Sequence, residues 1–369
     1  MKDLKYWVWL SSIPKVGSKK GRQLIEHFET PENLWHADEA EIRKLPGIGS
    51  EISSRLVDRE LKKNADLIMD SINKSNIDII TIMDERYPEY LRNIYDPPMV
   101  LYVKGRVIPD EMAIAIVGSR KASSYGLQMA ESIAYELASR GICVISGMAR
   151  GVDTYAHRGA LRAKSRTIAV LGCGTDVVYP SENGELADNI SKSGALVSEY
   201  IPGTPPLQQN FPARNRIISG ISTGVVVVEA NERSGSLITA NFALEQGREV
   251  FAVPGNVNST TSRGANRLIR EGAKIVTCLE DILEELRLAK AYKGINNVSC
   301  ENKKVKDVPE NLDENEKGIY CCLADGPMHI DIIAQKSGLG TAVVNSVLII
   351  MELKGMIEQM PGKIFRLKP

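Results

Sequence analysis

The sequence has no excess of charge of either sign and few aromatic residues. Lysine plus arginine and aspartate plus glutamate each number 46 among 369 residues, and aromatic residues make up 5%. A balanced charge excludes a protein coated in positive charge, so any nucleic-acid site has to be a local patch. The length predicts two or three domains.

The cysteines lack the spacing of a disulfide framework or a zinc site. None of the six forms a C-x-x-C pair, and Cys321 and Cys322 are adjacent. We therefore expect reduced thiols and no metal. The apolar patch from Tyr6 to Leu10 is too short for a signal peptide, and no window approaches the ~20 apolar residues of a membrane span. These absences predict a soluble cytoplasmic protein with no membrane association.

The common nucleotide-binding fingerprints are also missing. The loop from Gly118 to Ser123 contains one glycine and does not form G-x-G-x-x-G, and no lysine follows a G-x-x-x-x-G. Binding of NAD and hydrolysis of ATP are therefore disfavoured, and we expect no cofactor.

What the sequence does contain, between about residues 77 and 286, is a series of short β-branched strands alternating with helical segments. This order predicts an α/β fold with a doubly wound parallel sheet. The run Gly224–Val228 is typical of a central strand that is covered on both faces. Six strands end in loops that carry glycine, serine or charged residues, and such loops meet at the carboxyl edge of a parallel sheet, where ligands bind.

The central strand is flanked by polar residues on both sides. Arg214-Asn215-Arg216 precede it where a helix would start, and Ser234-Gly235-Ser236 follow it ahead of another helix. Free N–H groups at a helix start attract anions, so we expect phosphate there; alternatively, Ser236 only caps the helix and the arginines are solvated. The predicted phosphate-binding residues are Gly118, Ser119, Arg120, Gly147, Arg150, Gly151, Arg214, Asn215, Arg216, Ser234, Gly235 and Ser236.

The sequence patterns at the two ends of the chain predict domains that differ from the central α/β domain. We predict a helical domain over 1–72, an α/β domain over 73–288, a linker over 289–311 and a winged-helix-like domain over 312–369. In the first domain, residues 13–17 and 45–49 are two Pro/Gly hairpins that each lead into a helix. They resemble helix-hairpin-helix motifs, which approach nucleic-acid phosphates, although Lys15 replaces a glycine; alternatively, they are tight connections in a protein-docking module.

The winged-helix-like segment lacks the charge of a DNA reader. Its third predicted helix carries no lysine or arginine between Thr341 and Met351. A protein contact or a spacer role is therefore favoured for it.

Taken together, the loops are similar to those of the DprA/Smf family, the DNA-processing proteins of bacterial transformation. The motifs are Val117-Gly118-Ser119-Arg120, Ser146 to Asp153, Gly172 to Pro180, Phe211 to Ile218, Glu229-Ala230 with Ser234 to Ala240, and Pro254-Gly255. The resemblance implies an extended Rossmann-like domain that binds and protects single-stranded DNA without sequence specificity, forms dimers and loads the RecA recombinase. It implies no enzyme activity.

The family role gives the candidate residues specific tasks. Arg120, Arg150, Arg214 and Arg216 would supply charge to phosphates, and Phe211 or Tyr179 would offer a stacking face or belong to the core. The family often carries lysines where this sequence has Ser181 and Gln208-Gln209, so affinity is weaker or Lys192 and Arg233 compensate. A dimer would use the apolar residues Leu268, Ile269, Ile275 and Val276 near the end of the sheet, unless these are core.

A second function of a different class is a nucleotide phosphoribohydrolase that uses the same pocket. Its acid/base residue would be Glu229, Glu199 or Asp153. Those enzymes carry a Pro-Gly-Gly-x-Gly-Thr loop, however, and residues 231–236 do not match it. His157 is expected to be a structural hydrogen-bonding residue.

Overall fold

The computed structural model describes residues 4–109, 111–285, 312–324, 328–337, 339–360 and 364–367. The chain divides into two compact units, residues 1–293 and 294–369. The predicted linker 289–311 lies outside the described residues, so its boundaries stay predictions.

The first unit combines helices with one mixed sheet. Its helices are α1 (Leu4–Ser12), α2 (Ser18–Phe28), α3 (Pro31–His36), α4 (Glu39–Ile42), α5 (Ser50–Val57), α6 (Arg59–Lys74), α7 (Glu89–Arg92), α8 (Ser124–Ser139), α9 (Val152–Arg162), α10 (Gly184–Ser193), α11 (Asn210–Ile221), α12 (Gly235–Glu245), α13 (Arg263–Arg270) and α14 (Leu279–Glu285). Its strands are β1 (Asp78–Thr81), β2 (Val100–Gly105), β3 (Ala113–Val117), β4 (Cys143–Ser146), β5 (Thr167–Val170), β6 (Ala195–Ser198), β7 (Gly224–Val227), β8 (Glu249–Ala252) and β9 (Lys274–Ile275).

The sheet has the order β1-β2-β6-β5-β4-β3-β7-β8-β9. Along this order, the seven strands β6, β5, β4, β3, β7, β8 and β9 pair in parallel. Strands β1 and β2 form an antiparallel edge beside β6. The strand order reverses at β3, which pairs with both β4 and β7. In such a sheet the crevice outside the reversal point is where ligands bind. The predicted doubly wound α/β fold is confirmed.

The alternating side chains of β3 show how the parallel strands are covered on both faces. Ala115 and Val117 lie in one buried cluster with α11 and α12, whereas Ile114 and Ile116 lie in a second cluster with α8 and α9. A strand with apolar neighbours on both sides has no polar face, which explains the continuous β-branched run of the sequence.

The helices of the N-terminal segment share a core with the antiparallel edge of the sheet. Trp9 and Leu24 belong to the same buried cluster as Ile79 and Tyr102 from β1 and β2. The sequence predicted the helices but did not indicate this shared core. Removing the N-terminal helices would therefore expose the apolar side chains of β1 and β2.

The two N-terminal hairpins are held by reciprocal hydrogen bonds. Arg55 donates to the carbonyl of Pro14 at 3.1 Å, and Gln23 donates to the carbonyl of Pro46 at 2.8 Å. Lys15 adopts φ +70°, which is costly for a residue other than glycine. Its ammonium lies 2.7 Å from the Glu51 carboxylate, so its charge is compensated within the protein, which favours the packing role over phosphate binding.

The apolar residues considered for a dimer interface are mostly core. Leu268 and Val276 are buried in the two clusters that cover the sheet, and Ile275 is exposed on the edge strand β9. Core packing, the alternative that the sequence left open, therefore accounts for Leu268 and Val276, and the four residues do not form a continuous apolar surface.

The second unit has the winged-helix order that the sequence predicted. Its elements are α15 (Glu314–Ala324), β10 (Met328–His329), α16 (Ile330–Ser337), α17 (Thr341–Leu353), β11 (Ile357–Met360) and β12 (Ile364–Leu367). Strand β12 pairs antiparallel with β10 and β11. The core of this unit includes Ile319, Ile333, Leu348 and Phe365.

Candidate nucleic-acid interface

A cleft of about 720 Å³ opens at the carboxyl edge of the sheet, where the strand order reverses between β3 and β7. The structure brings eight of the twelve predicted site residues to its wall: Gly118, Ser119, Arg120, Arg214, Asn215, Ser234, Gly235 and Ser236. Gly147 and Arg150 lie in an adjoining recess that also contacts Arg120. The cleft results from the loops that follow parallel strands, as the sequence predicted.

The cleft carries an aromatic pair beside an exposed cation. The rings of Tyr179 and Phe211 lie 5.3 Å apart at 36°, and the Arg120 guanidinium lies 5.5 Å from the centre of the Phe211 ring. Arg120 is exposed and forms no ion pair with the residues that the structure describes. An aromatic face beside an exposed guanidinium provides both contacts that a single strand needs, stacking for a base and charge for a phosphate.

Phe211 is positioned by the start of α11. The Asn210 side-chain amide donates to the carbonyl of Gly172 at 3.1 Å, which fixes the helix start against the loop after β5. A Cβ atom on Gly172 would lie 2.9 Å from the Phe211 ring, so the ring packs directly on that glycine. Gly172 therefore sets how far the aromatic pair stands from the sheet.

Arg214 forms part of the cleft wall and is not a mobile ligand. Its guanidinium donates to the carbonyl oxygens of Gly147, at 2.8 Å, and of Val170. These hydrogen bonds connect the carboxyl ends of β4 and β5. Burial lowers the pKa of Arg214 to about 10, so it keeps its charge at neutral pH. The Asp153 carboxylate faces the same cleft and accepts the Ala149 N–H at 3.2 Å, and burial raises its pKa. Arg214 thus supplies a fixed positive charge to the cleft.

Arg216 does not lie in the cleft, contrary to the expectation from the sequence that it supplies charge to phosphates. It is buried, and its two terminal nitrogens donate to both oxygens of Glu199 at 2.8 and 2.7 Å, while its Nε donates to Asp96 at 2.9 Å. It also donates to Ser18 of α2. Residues two apart in a helix do not share a face, so Arg214 and Arg216 point apart.

The segment from Ser234 to Ser236 has the geometry of an open helix start. Ser234, and not Ser236, is the capping residue; its hydroxyl accepts the Ser236 N–H at 3.4 Å and lies 2.7 Å from the Ser236 hydroxyl. Apart from its chain neighbours and the backbone of its own helix, no heavy atom lies within 4 Å of where a side chain on Gly235 would begin. A phosphate can therefore approach the backbone at the positive end of α12.

The other predicted glycines are required by close packing. Gly151 has φ +77°, and a Cβ atom there would lie 2.3 Å from the Ser119 carbonyl oxygen. A Cβ atom on Gly147 would meet the Arg214 guanidinium at 2.7 Å, and one on Gly118 would meet Val152 at 2.6 Å. These glycines bring the loops after β3 and β4 together and so shape the cleft.

Arg150, at the recess, is compensated by a residue that the sequence did not single out. It forms an ion pair with both carboxylate oxygens of Glu182, one of them at 3.0 Å, and this hydrogen bonding lowers the pKa of Glu182. Both side chains are about half exposed. Glu182 places negative charge beside a surface that would receive phosphate, and it competes for Arg150.

We expect Glu182→Gln to raise the affinity for single-stranded DNA by about two- to fivefold, because Arg150 is released and a repulsive charge is removed. The log–log salt dependence should steepen by about 0.7, the effect of one added phosphate contact. Fluorescence anisotropy at several salt concentrations measures both. Glu131→Gln is the matched control, since Glu131 pairs with Arg162 on the surface of α8 and α9; equal effects of the two variants would contradict a local role of Glu182.

The cleft also contains residues that sequence reasoning missed. Lys121 is exposed there without an ion pair among the described residues, and its position next to Arg120 was the available signal. Gln208 lies in the cleft wall, whereas Lys192 and Arg233, the two cations expected from the sequence to compensate, are not among the residues of that wall. Lys121 is therefore better placed than either of them to supply charge to the cleft.

The residues considered for a hydrolase are mostly engaged elsewhere. The Glu229 carboxylate is 3% exposed and accepts both the N–H and the hydroxyl of Ser123, at 2.8 and 2.6 Å. Glu199 pairs with Arg216. Burial lowers the pKa of His157 to about 3, and its Nδ1 bonds the hydroxyl of Thr167 at 2.7 Å. Asp153 is the one of these four whose side chain contacts the cleft.

The described parts of the chain lack the features of a metal site, a membrane span and a disulfide framework. No group of three or more histidine, cysteine or acidic residues is arranged there to hold a metal ion. None of the helices described is both long and apolar enough to cross a bilayer. Cys143, Cys173 and Cys278 are not in disulfides.

Three family models match successive parts of the chain. The model for a SAM-like helix-hairpin-helix tandem matches residues 10–63, the model for DNA recombination-mediator protein A matches 78–287, and the model for the DprA winged helix domain matches 304–363. The central match covers the sheet and every residue of the cleft wall.

Relatives match over the full length. Protein Smf of Escherichia coli is 36% identical over 380 residues, which cover 100% of this chain and 97% of that protein. Protein Smf of Synechocystis sp. is 31% identical over 385 residues, with 97% of each chain covered. The X-ray structure of DNA processing protein A (DprA) from Streptococcus pneumoniae has a TM-score of 0.62 and 36% identity, and covers 76% of this chain and 96% of that one. The chain therefore belongs to the DNA recombination-mediator protein A family, also called DprA/Smf.

Proposed function

We propose that this protein binds and protects single-stranded DNA in the cleft between β3 and β7, and that this binding does not depend on base sequence. The observation that carries the proposal is the exposed Arg120 guanidinium, which forms no ion pair with the described residues, beside the Phe211–Tyr179 aromatic pair. A DprA structure from Helicobacter pylori, similar to this chain with a TM-score of 0.52 and 29% identity over 58% of this chain and 96% of that one, concerns the single-stranded DNA binding mode of that protein. That likeness supports the same ligand here.

The cleft suits a single strand because its contacts do not read base edges. Arg120 and Lys121 offer charge to phosphates, and the Gly235 N–H offers a donor at the start of α12. Phe211 with Tyr179 offers a face on which any base can stack. A duplex buries its bases within the stack and cannot use the aromatic face. Preference for single strands therefore depends on stacking, and affinity depends on salt.

The wider role of the family supplies three further proposals. The protein helps load the RecA recombinase during natural transformation, works as a homodimer in the cytoplasm and is not an enzyme. The exposed two-residue edge strand β9 supports self-association through the sheet edge. The engagement of Glu229 by Ser123 supports a binding role over glycosidic cleavage, since that carboxylate is not in the cleft.

The test compares single-stranded and double-stranded oligonucleotides of one length in an electrophoretic mobility shift with the full chain. We expect preferential binding of the single strand, similar affinity for unrelated base sequences, and no free base on incubation with nucleoside monophosphates. Preference for the duplex, or release of free base by the purified protein, would contradict the proposal.

A further inference from the structure

We propose that bound single-stranded DNA continues beyond the cleft onto a second contact surface, formed by Tyr125 and the loop 254–263, which we call the β8 rim. This inference rests on the proposed function, because it extends the path of the same strand. The β8 rim lies at the carboxyl edge of the same sheet, next to the cleft.

Tyr125 provides an aromatic face that packing does not explain. It is the second residue of α8, and 46% of it is exposed. Its hydroxyl donates to the carbonyl of Pro254 at 3.1 Å, so the ring is held against the loop that follows β8. A tyrosine fixed at its hydroxyl and open at its ring loses little entropy when a base stacks on it.

The β8 rim and the cleft are joined through two routes. Lys121 of the cleft wall lies four residues before Tyr125, in the loop that leads into α8. Hydrogen bonds from Ser123 to the Glu229 carboxylate hold this loop in place. Thr261 of the β8 rim donates to the same carboxylate at 3.4 Å. On the other side, the carbonyl of Asn231, a second cleft residue, would lie 2.5 Å from a Cβ atom on Gly264, directly after the rim loop. The segments that form the two surfaces thus pack directly against each other.

The charge along this path favours a phosphate backbone. Lys121 and Arg263 are exposed, and neither forms an ion pair with the described residues. Glu229, the carboxylate that joins the surfaces, is 3% exposed and occupied by Ser123 and Thr261, so it presents little negative charge to solvent. Val257 is 79% exposed and adds apolar surface for a base or a sugar.

The test uses oligothymidylates of about 4 and about 16 nucleotides, the span of site sizes in single-strand-binding folds. Tyr125→Ala should weaken binding of the long strand by about 5- to 100-fold, the effect of one lost base stack, and leave the short strand unchanged. Tyr125→Phe keeps the ring and should behave as wild type. Tyr135→Ala is the matched control, since it removes an exposed tyrosine farther along α8, and should have no effect.

Each outcome separates the β8 rim from the cleft. The β8 rim would be overturned if Tyr125→Ala kept its affinity for the long strand, or if it lost the same affinity for both strands. The cleft proposal would still hold in either case if Arg120→Ala weakened binding of both strands. An equal loss in Tyr125→Phe would also overturn it, because the hydroxyl and not the ring would then matter. Wild-type protein that binds neither strand would overturn both proposals. As an independent check of proximity, 5-iodouracil placed in the long strand should cross-link to Tyr125 of the wild type under ultraviolet light, and circular dichroism should show that Tyr125→Ala keeps the wild-type fold.

Discussion

Replacing Arg216 by alanine should lower the free energy of unfolding by about 3 kcal/mol, because the change leaves the Glu199 carboxylate without the partner that holds both of its oxygens. The Arg216 side chain is 8% exposed and that of Glu199 is 17% exposed, so solvent compensates little. The salt dependence of DNA binding should not change, since Arg216 does not contact the cleft.

Urea unfolding followed by tryptophan fluorescence measures this effect directly. Trp7, Trp9 and Trp35 all lie in the N-terminal helical segment, and Arg216 contacts that segment through Ser18. Arg270→Ala is the matched control, because it removes an exposed arginine that lies outside the cleft and the β8 rim, and it should leave both stability and salt dependence unchanged. An Arg216→Ala protein of full stability with a flattened salt dependence would show that Arg216 is a phosphate ligand after all.

Replacing Phe211 by alanine should weaken binding of single-stranded DNA by about 10- to 100-fold. Loss of one base stack accounts for about 1–3 kcal/mol, and the same change removes the surface on which the Arg120 guanidinium rests. Anisotropy titration with a labelled oligothymidylate gives the affinity, and circular dichroism reports whether the fold is retained.

Two control variants separate stacking from packing at this position. Phe211→Tyr keeps the ring and should retain most of the affinity, whereas Phe211→Leu keeps apolar contact with Gly172 and should lose nearly as much as alanine. If leucine binds as well as phenylalanine, then Phe211 is a packing residue and the strand is held by charge alone.

The location of the cleft was predictable because it follows from strand pattern and topology. Short β-branched runs such as Gly224–Val228 indicated buried parallel strands, and loops at the carboxyl ends of such strands have to meet. The structure places Gly118 to Arg120 after β3 and Ser234 to Ser236 after β7 on the same cleft for this reason. No knowledge of side-chain contacts was needed for that step.

The roles of individual arginines were not predictable to the same degree. Arg214 and Arg216 lie in one helix, and their two-residue spacing already indicated opposite faces, so helical phase was a signal that could have excluded Arg216. The partners Glu182 and Asp96 lie 32 and 120 residues from the arginines that they bind, and no local pattern connects them. The shared core of the N-terminal helices and β2 depends on equally distant contacts.

The central claim is that Arg120 in the cleft contacts a phosphate of a single strand. Its most direct test is the slope of log affinity against log salt concentration for wild type, Arg120→Ala and Arg120→Lys, with one oligothymidylate. We predict that alanine flattens the slope by about 0.7, the contribution of one phosphate contact, and that lysine, which keeps the charge, restores it. An unchanged slope in Arg120→Ala would contradict the assignment of the cleft as the DNA site.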